Sequence, residues 1–202
     1  MMRLLLAAAS TVSFTPLRFA RAASSCAIEP RASVDLLKFR GLGGGAPIHP
    51  DALRGRPVLV VNTASYCGYT KQLTSLQRLH ELYDARGLVV LGVPSNDFGA
   101  QEPDAEEKIR AFYEREHGVQ FPLTAKVAVS GGDAHAFYLH LQHKLGDAGA
   151  PAWNFMKYLV GRKGDVIALF DPSIDPLDPS VVQAVEHALE EGAEDGAAKD
   201  EL

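Results

Sequence analysis

The sequence predicts an α/β fold, a central mixed sheet flanked by helices. Two short apolar runs, Val58-Leu59-Val60-Val61-Asn62 and Leu88-Val89-Val90-Leu91-Gly92-Val93, are separated by a stretch whose apolar residues recur in steps of three and four. Continuous β-branched runs of that length are strands buried on both faces, and a helix between two of them makes a right-handed βαβ unit. Further along, Lys157–Val160 and Asp165–Phe170 flank Gly161-Arg162-Lys163-Gly164, the pattern of an antiparallel hairpin. Of 202 residues, 47% are hydrophobic, enough for one core of ordinary size.

The elements follow in order. An early strand is expected around Val34–Phe39, and the glycine- and proline-rich stretch 41–50 is a loop. The first buried strand covers Val58–Asn62. From Lys71 to Arg86, Leu73, Leu76, Leu79, Leu82 and Tyr83 form the apolar stripe of a helix that Gly87 ends. The second strand spans Leu88–Val93. A helix over Ala105–Glu116 places Ile109, Phe112 and Tyr113 on one face. Lys126–Val129 reads as a short edge segment, Ala134–Leu145 as a helix, and Val181–Glu190 as the last helix after the hairpin. A βαβ unit followed by a hairpin and a helix is the thioredoxin-like plan.

The two ends read as addresses. Arg3, the apolar stretch from Leu4 to about Phe14 and the small residues Ala20, Ala22 and Ala23 compose a signal peptide over residues 1–23. Arg18, Arg21 and the absence of acids before Glu29 suit an organellar transit peptide as the alternative. The domain then covers residues 24–190, and a polar tail over 191–202 ends in Lys199-Asp200-Glu201-Leu202, the retrieval signal of the endoplasmic reticulum. Together the ends place the mature chain in an oxidising lumen. The net charge of −5 argues against an ordinary nucleic-acid binder, which carries a basic stripe. No apolar run reaches the roughly eighteen residues of a membrane span. Cys26 and Cys67 are the two cysteines, too few for a disulfide scaffold and too far apart for a paired redox motif or a clustered metal site.

Cys67 falls just after a buried strand and just before a helix. That is the carboxyl edge of the sheet, where α/β sites form, and helix N–H groups there favour thiolate over thiol. A thiolate so placed attacks a peroxide O–O bond and becomes a sulfenic acid. Gly68 permits the tight turn that leaves the sulfur accessible. Thr70 stands where a C-x-x-C enzyme carries its second cysteine, so dithiol exchange is disfavoured. The Thr70 hydroxyl could instead donate to the sulfur or cap the helix. The bland alternative is that Cys67 is a small buried hydrophobe.

Three segments resemble the signatures of the glutathione peroxidase family. Val61-Asn62-Thr63-Ala64-Ser65-Tyr66-Cys67-Gly68-Tyr69-Thr70 resembles N-V-A-S-x-C-G-x-T. Val93-Pro94-Ser95-Asn96-Asp97-Phe98-Gly99-Ala100-Gln101-Glu102-Pro103 resembles F-P-C-N-Q-F-G-x-Q-E-P. Ala152 to Val160 resembles W-N-F-x-K-[FY]-L-[VI]. The resemblance spans about Val34 to Leu189 and implies that Cys67 is the peroxide-reducing nucleophile, with Trp153 and Asn154 among its companions. Indole and amide N–H groups suit a thiolate and a departing oxygen. A core aromatic is the other reading of Trp153.

Two departures matter. The glutamine at the fifth place of the second signature is Asp97 here. A carboxylate beside a thiolate meets like-charge repulsion, so Asp97 points away, is protonated, pairs with Lys157 or Arg162, relays a proton, or simply structures its loop. Ser95 replaces the signature's cysteine, and Phe112–Phe121 carries no resolving cysteine. Cys26 is either a resolver on a terminal arm or incidental. The expected reductant is therefore an external thiol, either glutathione or a lumenal protein disulfide isomerase, and no bound cofactor or metal is expected. The short stretch before Trp153 resembles the monomeric members. A redox sensor or binding module on the same fold is the rival from another class. A peroxiredoxin is disfavoured by the absence of that family's P-x-x-x-[TS]-x-x-C pattern around Cys67.

Overall fold

The computed structural model of the chain describes residues 37–191. The leader, Cys26 and the retrieval tail lie outside the described residues.

The sheet has four strands in the order β2-β1-β3-β4. β1 (Val58–Thr63) pairs in parallel with β2 (Val89–Pro94), antiparallel with β3 (Lys157–Val160), and β3 pairs antiparallel with β4 (Val166–Phe170). Every residue of β1, β2 and β3 is buried, as uninterrupted apolar runs require. Between the paired strands sits α2 (Gln72–Tyr83), behind a one-turn α1 (Pro50–Leu53); α3 (Glu106–His117) and α4 (Ala136–Leu145) follow β2, and α5 (Pro179–Glu190) closes the chain.

Alternation along the strands splits the core into two layers. Leu59, Val61, Val90 and Leu159 face Leu73, Leu76 and Leu79 of α2, Ile109 and Tyr113 of α3, and Val181 and Val185 of α5. Val58, Val60, Leu91, Val93, Tyr158 and Val160 face Phe137, Tyr138 and Leu141 of α4, with Leu37, Phe39 and Leu53. Leu82, expected on the buried stripe of α2, is 46% exposed, although Leu79 and Tyr83 on either side of it are buried: it falls off the face that they set. The helix ends follow their chemistry. Gly87 (φ 106) ends the 3-10 turn Asp84–Arg86 that continues α2, Gly118 (φ 66) ends α3, both in the left-handed conformation, and Asp178 caps α5 by accepting from the Ser180 N–H at 2.9 Å ahead of Pro179.

Among the described residues, two expected strands are not seen as strands. Of the early strand, the described part gives only an isolated bridge, Phe39 to Ile48. The expected edge segment at Lys126–Val129 is irregular: it meets β2 through one backbone bond, Val127 N–H to Pro94 O at 3.1 Å, beyond a single parallel bridge, Gly92 to Leu123. Pro122 has no N–H to give a ladder, and the Lys126 N–H goes to Glu106 Oε1 at 3.0 Å. Gly92 itself is required by that crossing: a Cβ there would lie 2.6 Å from Leu123 Cδ2. No described helix is long and apolar enough to cross a membrane.

Candidate active site

Cys67 is the single cysteine among the described residues, and it is unpaired and half-buried. It does not sit on α2 directly. Four residues of tight turn intervene, with Thr70 N–H donating to Cys67 O at 3.0 Å and Gln72 N–H to Tyr69 O at 2.8 Å. The Thr70 hydroxyl fixes this turn. It accepts from the Cys67 N–H at 3.0 Å, and its one proton lies between Cys67 O (2.7 Å) and Ala64 O (2.9 Å). Thr70 therefore holds the backbone of Cys67, rather than donating to the sulfur or capping the helix as the sequence suggested.

The loop after β2 lies alongside. Tyr66 N–H donates to Gln101 O at 3.0 Å, which joins the residue before the thiol to the Gln101 loop. Gly99 (φ 62) and Ala100 (φ 48) are both left-handed and turn Gln101 toward Asn154. Asn154 Nδ2 donates to Gln101 Oε1 at 2.9 Å and to Phe98 O at 3.4 Å. Asn154 is fully buried, and its Oδ1 has no partner among the described residues. Trp153 is 39% exposed, with its ring 5.6 Å from that of Phe98; it is not a core aromatic. Asn62 at the end of β1 fastens this corner, donating from Nδ2 to Trp153 O at 2.9 Å and accepting from the Phe155 N–H at 2.6 Å.

Asp97 is not part of this group of contacts. Its Oδ2 accepts from the N–H groups of Val129 (2.6 Å) and Ser130 (2.8 Å) and from the Ser130 hydroxyl (3.1 Å). Neither expected cation meets it. Lys157 Nζ donates to the carbonyls of Asp171 and Pro172, and Arg162 to those of Gly55 and Leu189. The amide next to Asn154 is instead Gln101, which the sequence reading passed over. The signal was available: the second signature holds two glutamines, and only the first is replaced here.

Two buried charges lie behind the site. Glu102 is fully buried and accepts from the Ser65 hydroxyl at 2.6 Å and the Tyr113 hydroxyl at 2.7 Å. Its N–H donates to Asn96 Oδ1 at 2.8 Å. Burial pushes its carboxyl above the ordinary value of 4.5, against the lowering effect of the two hydroxyls. The fold therefore prefers the protonated acid. The stability this brings is complete below the ordinary carboxylate range and is lost as pH rises through the raised value. Glu102→Gln never carries that charge and can still bond both hydroxyls. Its stability relative to wild type is expected to rise between about pH 4 and pH 7, measured by urea unfolding at each pH; a relative stability that fell with pH would contradict the sign. Lys157 is fully buried on β3, where burial brings its ammonium down to about 8 while Asp175 and Asp171 pull it back up.

The family model for glutathione peroxidase matches residues 38–142. The hydroperoxy fatty acid reductase Gpx2 of Synechocystis is 42% identical over 145 residues, 72% of this chain and 92% of that protein. A glutathione peroxidase-like peroxiredoxin of Schizosaccharomyces pombe is 41% identical over 134 residues, 65% of this chain and 85% of its own length. Among solved structures, apo Trgpx superposes with a TM-score of 0.61 at 30% identity, covering 79% of this chain and 95% of that one. The thioredoxin-like plan holds, and at such identity across nearly the whole of its relatives the chain belongs to the glutathione peroxidase family of thiol-dependent peroxidases.

Proposed function

We propose that the chain reduces hydrogen peroxide and organic hydroperoxides with Cys67 as nucleophile, Gln101 and Trp153 as its donors, and Asn154 as the residue that orients the Gln101 amide. The observation that carries this reading is the convergence of the Cys67 turn, the Gln101 amide and the buried Asn154 amide at the carboxyl end of β1. In the first half-reaction the thiolate sulfur attacks the terminal oxygen of ROOH. The S–O bond forms, the O–O bond breaks, and RO⁻ leaves to take a proton as ROH. In this reading the Gln101 amide and the Trp153 indole N–H stabilise charge on the departing oxygen. In the second, one external thiol condenses with Cys67 sulfenic acid and releases water. A second thiol cleaves the mixed disulfide and regenerates Cys67. Asp97 serves as the tie of the 129–130 loop.

Ser95 in place of the signature's cysteine, and a stretch 112–121 without one, support an external reductant, glutathione or a disulfide isomerase of the lumen. The Lys199–Leu202 tail and the leader support residence in the endoplasmic reticulum, with an organelle reached by a transit peptide as the alternative. The short segment before Trp153 supports a monomer. A fatty-acid hydroperoxide is the substrate class that the name of the Synechocystis relative suggests, and the exposed rings of Tyr66 and Trp153 provide an apolar rim for it. Stopped-flow oxidation of the reduced protein by hydrogen peroxide, followed by intact mass, tests the core of this reading. Fast second-order reaction adding one oxygen at Cys67 is expected; oxidation no faster than a free thiol overturns it.

A further inference from the structure

One exposed side chain ties the two loops of the site together. Tyr66 immediately precedes Cys67. Its N–H donates to Gln101 O at 3.0 Å, and its hydroxyl donates to Asp104 Oδ2 at 2.6 Å. The two bonds leave opposite ends of one residue and land three residues apart, so they set both the height and the direction of the 101–104 segment. The far end is braced in turn. Lys126 Nζ donates to Asp104 O at 2.8 Å and to Glu102 O at 3.2 Å, and Lys108 pairs with Asp104 at 3.8 Å. The Tyr66 ring lies against Phe112 of α3, with centroids 6.5 Å apart and planes at 24°.

Burial does not account for this tyrosine, since it is 59% exposed. Its hydrogen bond to Asp104 holds the phenol proton in place and raises its pKa. Gln101 needs such a tie. It follows two left-handed residues, and the bond from Asn154 to its oxygen fixes the amide at one end, so the position of the backbone that carries it decides where its N–H groups point.

We propose that Tyr66 is a positioning residue, a strut from the residue before the thiol to Gln101 and Asp104 that sets the Gln101 amide against the Cys67 sulfur. This rests on the reading of Cys67 as the peroxidatic nucleophile. Tyr66 exchanges no proton or electron in the reaction. A ring that merely offers a platform to substrate would need no hydroxyl, and the test separates the two.

Tyr66→Phe keeps the ring and the backbone bond and removes the strut; Asp104→Ala removes its other end. The second-order rate constant of Cys67 with hydrogen peroxide is measured for wild type, both single variants and the double variant. Alkylation of Cys67 by iodoacetamide, which needs no amide over a leaving oxygen, is measured beside it. Each single variant is expected to lose about tenfold in the peroxide rate, since small misplacements of a catalytic group are costly. The double variant should lose no more than either alone, and the alkylation rate should stay at the wild-type value. An unchanged peroxide rate in Tyr66→Phe overturns the proposal, as do losses that multiply or an alkylation rate that falls in parallel. If wild-type Cys67 itself reacts with peroxide like a free thiol, the peroxidase reading fails and the strut with it. A fast wild type with an equally fast Tyr66→Phe sinks the strut alone.

Discussion

Cys67→Ser is expected to abolish peroxide turnover, lowering it by a factor of at least about 10³. A serine hydroxyl does not ionise near neutral pH, and its oxygen is a poor nucleophile toward peroxide, so no other step can compensate. The change is nearly isosteric at a half-buried position with no disulfide to lose, and the Thr70 bonds are made to the backbone of residue 67 rather than to its sulfur. The fold should therefore survive, with a melting temperature close to that of wild type. Peroxide consumption with a thiol reductant in excess, measured beside thermal unfolding, checks both halves. Activity retained in a folded Cys67→Ser protein would remove the nucleophile from the mechanism altogether.

Gln101→Ala is expected to slow oxidation of Cys67 by about 10²-fold, the usual cost of removing one preorganised donor from a developing oxyanion. It also strips the buried Asn154 Nδ2 of its 2.9 Å acceptor, and the Oδ1 of that residue already lacks a partner. Asp97→Ala provides the contrast. It should leave the peroxide rate within about threefold of wild type, while the three bonds it removes at Val129 and Ser130 cost about 1 kcal/mol of stability. Stopped-flow rates and urea midpoints for the two variants decide the matter. A large rate loss in Asp97→Ala with none in Gln101→Ala would restore position 97 to the site and take Gln101 out of it.

The sheet strands and the longer helices were legible because their signals are periodic and repeated. Leu73, Leu76 and Leu79 announce α2, and the Val-rich runs announce β1 and β2. Short elements carry no period. The single turn Pro50–Leu53 was invisible, and Lys126–Val129 looked like a strand only because its alternation said nothing of where Pro122 and Glu106 direct the hydrogen bonds. The nucleophile, Trp153 and Asn154 were read from motifs. Gln101 was missed because the substitution at position 97 drew attention away from the glutamine that remains. Glu102 and Lys157 were illegible for a different reason. A charged residue beside a proline, or one lysine in a strand, looks like surface, and only the packed structure shows that both are fully buried. Their partners, Ser65, Tyr113 and the carbonyls after β4, lie 11 to 37 residues away in sequence.

Phe155 faces two demands that no amino acid meets together. Its backbone is left-handed, at φ 68, where glycine or asparagine would be at ease, yet its side chain is fully buried among the α2-side core residues. A glycine would relieve roughly 1 kcal/mol of strain and forfeit about 3–5 kcal/mol of packing. Large apolar residues keep the packing and keep the strain. Sequence drift at this position is therefore closed in both directions. Trp153 and Asn154 directly precede this turn, so the corner that carries them is set by the core beneath it rather than by the solvent-facing loop above.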